Sequence, residues 1–116
     1  MDQIERLKSV ARSCMEKEID WPELARVIYL LKKNLPHAEW KKFCKEIGLG
    51  DRHSYYLIEL QEKAILFNIK LPADVSWRSL GETAKVLTWR NSSTIFTFCR
   101  THTREEVIAA VREKKL

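Results

Sequence analysis

The stretch from Trp40 to Leu60, WKKFCKEIGLGDRHSYYLIEL, constrains the fold more than any other part of this chain. Trp40, Phe43, Cys44 and Ile47 recur at three- and four-residue spacing, which on a helix makes one apolar stripe. Gly48 follows, the residue type that accepts the left-handed conformation at a helix end. A second helix then begins at once. Asp51 places negative charge near its positive end, and Ser54, Leu57 and Ile58 supply its inward face. Two helices with so short a link form either a helix-turn-helix or an ordinary αα-corner with no ligand. The remaining Arg52, His53, Tyr55, Tyr56 and Glu59 are predicted to face outward. Side chains of that kind reach base edges or phosphates, so the second helix is a candidate reading helix.

The distribution of charge bears on the same segment. Residues 1–31 carry five basic and six acidic side chains, residues 32–63 seven and five, residues 64–84 two and two, and residues 85–116 seven and three. The net charge of +5 therefore sits on the helix pair and the C-terminal quarter. Lys41 and Lys45 stand one above the other, with Lys42 and the Lys32, Lys33 pair nearby, where the first helix of such a motif crosses a phosphate backbone. The same lysines also suit a plain solvated helix face.

At 116 residues and 45% hydrophobic content the chain holds enough apolar material for one core, hence one domain, 1–116. Cys14, Cys44 and Cys99 are odd in number and far apart, with no CxxC pair. They suggest neither a disulfide framework nor a structural zinc site, and fit a reducing cytoplasm. No apolar run approaches the roughly 18 residues of a membrane span, and the opening MDQIERLKSV is too mixed in charge for a signal peptide. A cytoplasmic protein without membrane contact is expected.

Few glycines and prolines and no repeat point to an all-α fold, a compact bundle of about six helices with the helix-turn-helix at about 37–64 and a further helical part at about 76–116. Ile4, Leu7, Ala11 and Cys14 predict a first helix over about 2–18. Asp20 caps the next, with Pro22 in its first turn, Glu23 as capping-box partner, and Leu24, Val27, Ile28 and Leu31 inward. Leu57, Leu60, Ala64 and Phe67 stay in phase, so the helix from Asp51 runs to about Phe67. Ser76 caps a helix to about Leu87 on the stripe Trp77, Leu80, Ala84 and Leu87. The β-branched run NSSTIFTFCRT favours a strand by composition, but has no second strand to pair with and is read as a short helix or turn. Thr103 and Glu106 form a capping box for a last helix with Val107, Ile108 and Val111 inward. The amphipathic helices at the two ends supply either a homodimer interface or the closure of the chain's own core.

The run LLKKNLPHAEWKKFCKEIGLGDRHSYYLIELQEKA resembles an uncharacterised family of phage and mobile-element proteins. The likeness lies in His37, Ala38, Glu39 and Trp40, in the turn Ile47, Gly48 and Leu49, and in Arg52 of the second helix. Two later pieces also match, LPADVSWRSLGETAKVL and the Thr103, Arg104, Glu106, Val107 motif. Departures are Gly50 where a Ser or Thr cap is usual, Ser54 where a small apolar residue is usual, and a link lengthened by Asp74 and Val75. The resemblance implies a phage, prophage or plasmid origin and a helix-turn-helix, and transfers no activity.

No arrangement for catalysis is apparent. His37, His53 and His102 fall in separate segments, and there is no glycine loop for phosphates. Cys99 and His102 stand three apart, as two metal ligands do, but the other two ligands are missing. Cys44 lies in an apolar stripe as a packed residue. The chain is not expected to be an enzyme or to hold a cofactor or metal.

Two functions fit these residues. One is a double-stranded DNA-binding protein, a regulator of transcription or accessory factor of a mobile element, with Lys41, Lys42 and Lys45 on phosphates and Arg52, His53, Tyr55 and Tyr56 facing the groove. The other is a protein-binding module, for instance a phage-encoded inhibitor of a host or defence complex such as a CRISPR effector, with exposed Tyr and Trp as anchors.

Overall fold

In a computed structural model that describes residues 2–17 and 20–116, seven helices follow one another, with no strand among the described residues. α1 spans Gln3–Lys17, α2 Trp21–Asn34, α3 His37–Glu46, α4 Asp51–Phe67, α5 Trp77–Gly81, α6 Ser92–Thr101 and α7 Arg104–Arg112. The end of the first helix expected at residue 18 lies outside the described residues. None of these helices is long and apolar enough to cross a membrane.

α2 carries the central apolar stripe. Its Leu24, Val27, Ile28 and Leu31 are buried, and it packs on α1 and α4. Leu57 and Leu60 of α4 continue the core to Leu80, Leu87, Ile95 and Val107, all fully buried. Each such side chain contributes about 1.5–3 kcal/mol of transfer free energy. α1 gives Leu7 and Ala11 to this core and α7 gives Val107 and Ala110, so both terminal helices close their own chain. The described residues measure 45 × 25 × 24 Å along their principal axes.

Three helices end in the same way. At the end of α3, Gly48 takes φ +87°, Leu49 N–H donates to the Cys44 carbonyl at 2.8 Å, and Gly48 N–H donates to that of Lys45 at 3.0 Å. This Schellman closure needs a residue at positive φ, and Leu49, buried beyond it, pins the turn. Asn68 closes α4 and Lys114 closes α7 with the same paired bonds, at φ 53° and 58°.

Two expectations need correction. The helix expected from Ser76 to about Leu87 is α-helical only to Gly81. Glu82 N–H and Thr83 N–H bond back three residues instead of four, and the Thr83 hydroxyl donates to the Leu80 carbonyl at 2.6 Å, which tightens and ends the helix. Leu80, Ala84 and Leu87 are buried nonetheless. Second, Asp20 caps α2 by accepting from Glu23 N–H at 3.2 Å, but the Glu23 carboxylate pairs with Arg26 instead of reaching back. The Thr103–Glu106 capping box is complete, and the doubtful run Asn91 to Thr101 folds as α6.

Candidate nucleic-acid interface

α3 and α4 are joined only by Ile47, Gly48, Leu49 and Gly50. The inward face of the pair is apolar. Trp40, Phe43, Cys44, Leu57 and Ile58 are buried, and the Trp40 indole N–H donates to the Ile28 carbonyl of α2 at 3.1 Å. That bond sets the azimuth of α3 and turns its lysines outward.

Lys42 and Lys45 are exposed and make no ion pair among the described residues. Lys41 is half-buried and its Nζ lies 3.5 Å from an Asp51 carboxylate oxygen across the turn. α1 adds two cations here: Lys8 Nζ is 5.6 Å and the Arg12 guanidinium 5.2 Å from the centre of the Phe43 ring. Sequence reading missed both, because residues 1–31 are net acidic as a block and only tertiary packing brings these two beside α3.

The predicted reading helix is less open than expected. Arg52 and Tyr55 are exposed, Tyr55 packing edge-on against Trp40 with ring centres 5.7 Å apart. His53 and Tyr56 are half-buried under α5, a correction to their predicted outward aim. The Trp77 ring meets the His53 imidazole edge-on at 4.9 Å. Tyr56 lies across Gly81 so closely that a β-carbon there would stand 2.6 Å from the ring, which explains the glycine. Glu59 is half-buried too, and the outward stripe ends on the acidic Glu62. Only the first turns of α4 suit a polyanion.

Arg52 does not bond Glu39 or Glu59. Its Nε donates to the Tyr56 hydroxyl at 2.9 Å and its Nη2 to Oε1 of Glu82 at 3.3 Å. The same Oε1 accepts the Tyr56 hydroxyl at 2.6 Å and Nη2 of Arg104 at 2.6 Å. Burial pushes the Glu82 carboxyl up, but the Tyr56 and Arg104 hydrogen bonds and the two guanidinium charges outweigh it, and the net displacement is downward. His53 is displaced downward by burial first, then by the charges of Arg78, Arg52 and Arg104. Sequence reading gave no role to Glu82 or Arg104, although both stand in quoted runs, and gave Trp77 only a place in an apolar stripe.

No family model, curated protein or solved structure matches this chain. The chemistry therefore rests on the residues themselves. Burial pushes the Cys44 thiol up to about 12 and the Cys99 thiol up to about 11, far from nucleophilic. His102 stacks on Phe98 with ring centres 3.7 Å apart, and its Nδ1 is 2.9 Å from the Phe98 carbonyl oxygen. Among the described residues no three His, Cys, Asp or Glu side chains gather as metal ligands. What the α3–α4 face presents is exposed cation and an aromatic side chain.

Proposed function

We propose that this chain is a small double-stranded DNA-binding protein of the helix-turn-helix kind, a regulator or accessory factor of a phage or mobile element. The supporting observation is the α3–Gly48–α4 unit, locked to α2 through Trp40, with Lys42 and Lys45 free on its first helix and Arg52 and Tyr55 exposed in the first turns of its second. Lys42 and Lys45, with Lys8 and Arg12 over Phe43 of the same helix, suit phosphates, and Arg52 and Tyr55 suit base edges. His53 and Tyr56 support the reading helix from beneath instead of facing the groove. The mobile-element origin rests on the motifs at His37 to Trp40 and Thr103 to Val107.

Binding to a random duplex at two salt concentrations tests the reading. Each phosphate contact steepens the salt dependence by about one unit of log–log slope, so the Lys42→Glu, Lys45→Glu double variant is expected to bind weakly and to flatten that slope by about two. Wild-type protein that ignores duplex DNA at low salt would sink the proposal.

One observation favours a second reading, a protein-binding module. Ile65 at 56%, Leu66 at 70% and Trp89 at 62% exposure are large apolar side chains open to solvent, and Trp89 lines a cleft with Phe67, Phe96, Lys70 and Arg100. A partner held there by the apolar side chains binds with less salt dependence than a duplex.

A further inference from the structure

The Arg52, Tyr56, Glu82 and Arg104 cluster holds more positive charge than its bonds require. Glu82 is the only carboxylate in it, and its side chain is 14% exposed. Arg52 and Arg104 both point at one oxygen of that group, yet their side chains remain 65% and 36% exposed. A third guanidinium, Arg78, stands 4.7 Å over the Trp77 ring, exposed and without an ion pair among the described residues. Trp77 in turn packs on His53, which ties Arg78 to the start of α4. A salt bridge that merely fastened α7 to the end of α5 would need one arginine for one carboxylate; two guanidinia on one oxygen leave a surplus of one charge, and Arg78, linked to the same helix start through Trp77 and His53, adds a second.

The surplus is also held in position. Arg52 is fixed through Nε and Nη2 and Arg104 through Nη2, so the remaining N–H groups of each planar fork face solvent already oriented. A guanidinium fork matches the oxygens of a phosphate in paired hydrogen bonds, and immobilising it beforehand lowers the entropic cost of binding.

We infer that Arg52 and Arg104, held on Glu82, together with Arg78 over Trp77, form a phosphate-binding site that carries the proposed duplex contact beyond α3 and α4 to α5 and the start of α7. The inference rests on the DNA-binding reading for the source of the phosphate, and its chemistry stands apart from it. Glu82 and Tyr56 act as positioning residues, and the arginines make the contact.

Two measurements separate the claims. In the first, an Arg78→Gln, Arg104→Gln double variant is compared with wild type on a random duplex at two salt concentrations, with a melting curve of each. The expected result is weaker binding and a log–log slope flatter by about two, at a stability that still leaves the variant folded. A folded variant whose affinity and slope equal those of wild type overturns the inference and leaves the DNA-binding reading standing. In the second, wild-type protein is titrated with inorganic pyrophosphate while the arginine Nε–H resonances are followed by NMR. Shifts at Arg52 and Arg104 support the site even where duplex binding is absent, and then the phosphate source is not DNA. Silence of those resonances overturns it, including where the double variant fails to fold.

Discussion

The first four helices and the last three are built on different principles. α1 to α4 run to 15, 14, 10 and 17 residues and each lays an apolar stripe against its neighbours. Nearly all side-chain hydrogen bonds among them are local, the Trp40 to Ile28 bond being the long one. α5, α6 and α7 have 5, 10 and 9 residues. Beside their stripes the last three helices use polar anchors of long reach: Arg104 to Glu82, Arg100 to Asp74, and the Trp21 indole to the Val75 carbonyl at 2.8 Å. Asn91 adds a local one, accepting from Thr88 N–H and donating to the Val86 carbonyl. The first half is positioned chiefly by the area it buries, even in α3, which is no longer than α6, and the second half adds hydrogen bonds of long reach.

The comparison is open to a direct attack, beginning with its apolar side. Trp40→Ala removes a fully buried indole that touches α2 and deletes its hydrogen bond to the Ile28 carbonyl. The expected loss is about 3–5 kcal/mol, read from urea denaturation. A loss below about 1 kcal/mol would show that α3 is not held by burial.

On the polar side, Glu82→Gln strips the charge from the anchor of α7 and is expected to cost roughly 1.5–3 kcal/mol at neutral pH. The pH dependence has a definite sign. A carboxyl displaced downward in the folded chain stabilises it above the ordinary glutamate range, and that stability is lost as pH falls through the folded value. The variant should therefore lose less stability than wild type on acidification below that range. Equal acid limbs in the two proteins would mean that Glu82 is not the anchor.

The smallest effect sharpens the first half. Gly48 has open space around the position of a β-carbon, so Gly48→Val meets no neighbour and any loss is backbone strain at φ +87°. About 1–2 kcal/mol is expected. An unchanged melting temperature would remove the turn from the determinants of the α3–α4 unit.

Much of the first half is legible in order of residues alone. The stripes of α2 and α4, the cap at Asp20, the left-handed Gly48 and the end of α4 at Phe67 all follow from spacing, because a long amphipathic helix repeats its signal several times. The box at Thr103 and Glu106 is equally plain, since both partners lie within one turn. The early stop of α5 is not, because its backbone bonds shorten from four residues to three while the apolar stripe Leu80, Ala84 and Leu87 runs on unbroken. The candidate interface divides along the same line. Lys42, Lys45, Arg52 and Tyr55 are exposed as their helical phase requires, whereas His53 and Tyr56 lie in phase with them and are covered by a later helix.

The sequence by itself determined the all-helical class, the helix limits in the first half and the basic character of the α3–α4 segment, since each depends on residues within a few turns of one another. Tertiary structure alone decided which outward-phased residues stay outward, that Lys8 and Arg12 join α3, and that Arg52 and Arg104 meet at Glu82. Local periodicity states which side of a helix is apolar. It carries no information on which other segment covers the polar side, because that depends on contacts between residues 22 to 30 positions apart.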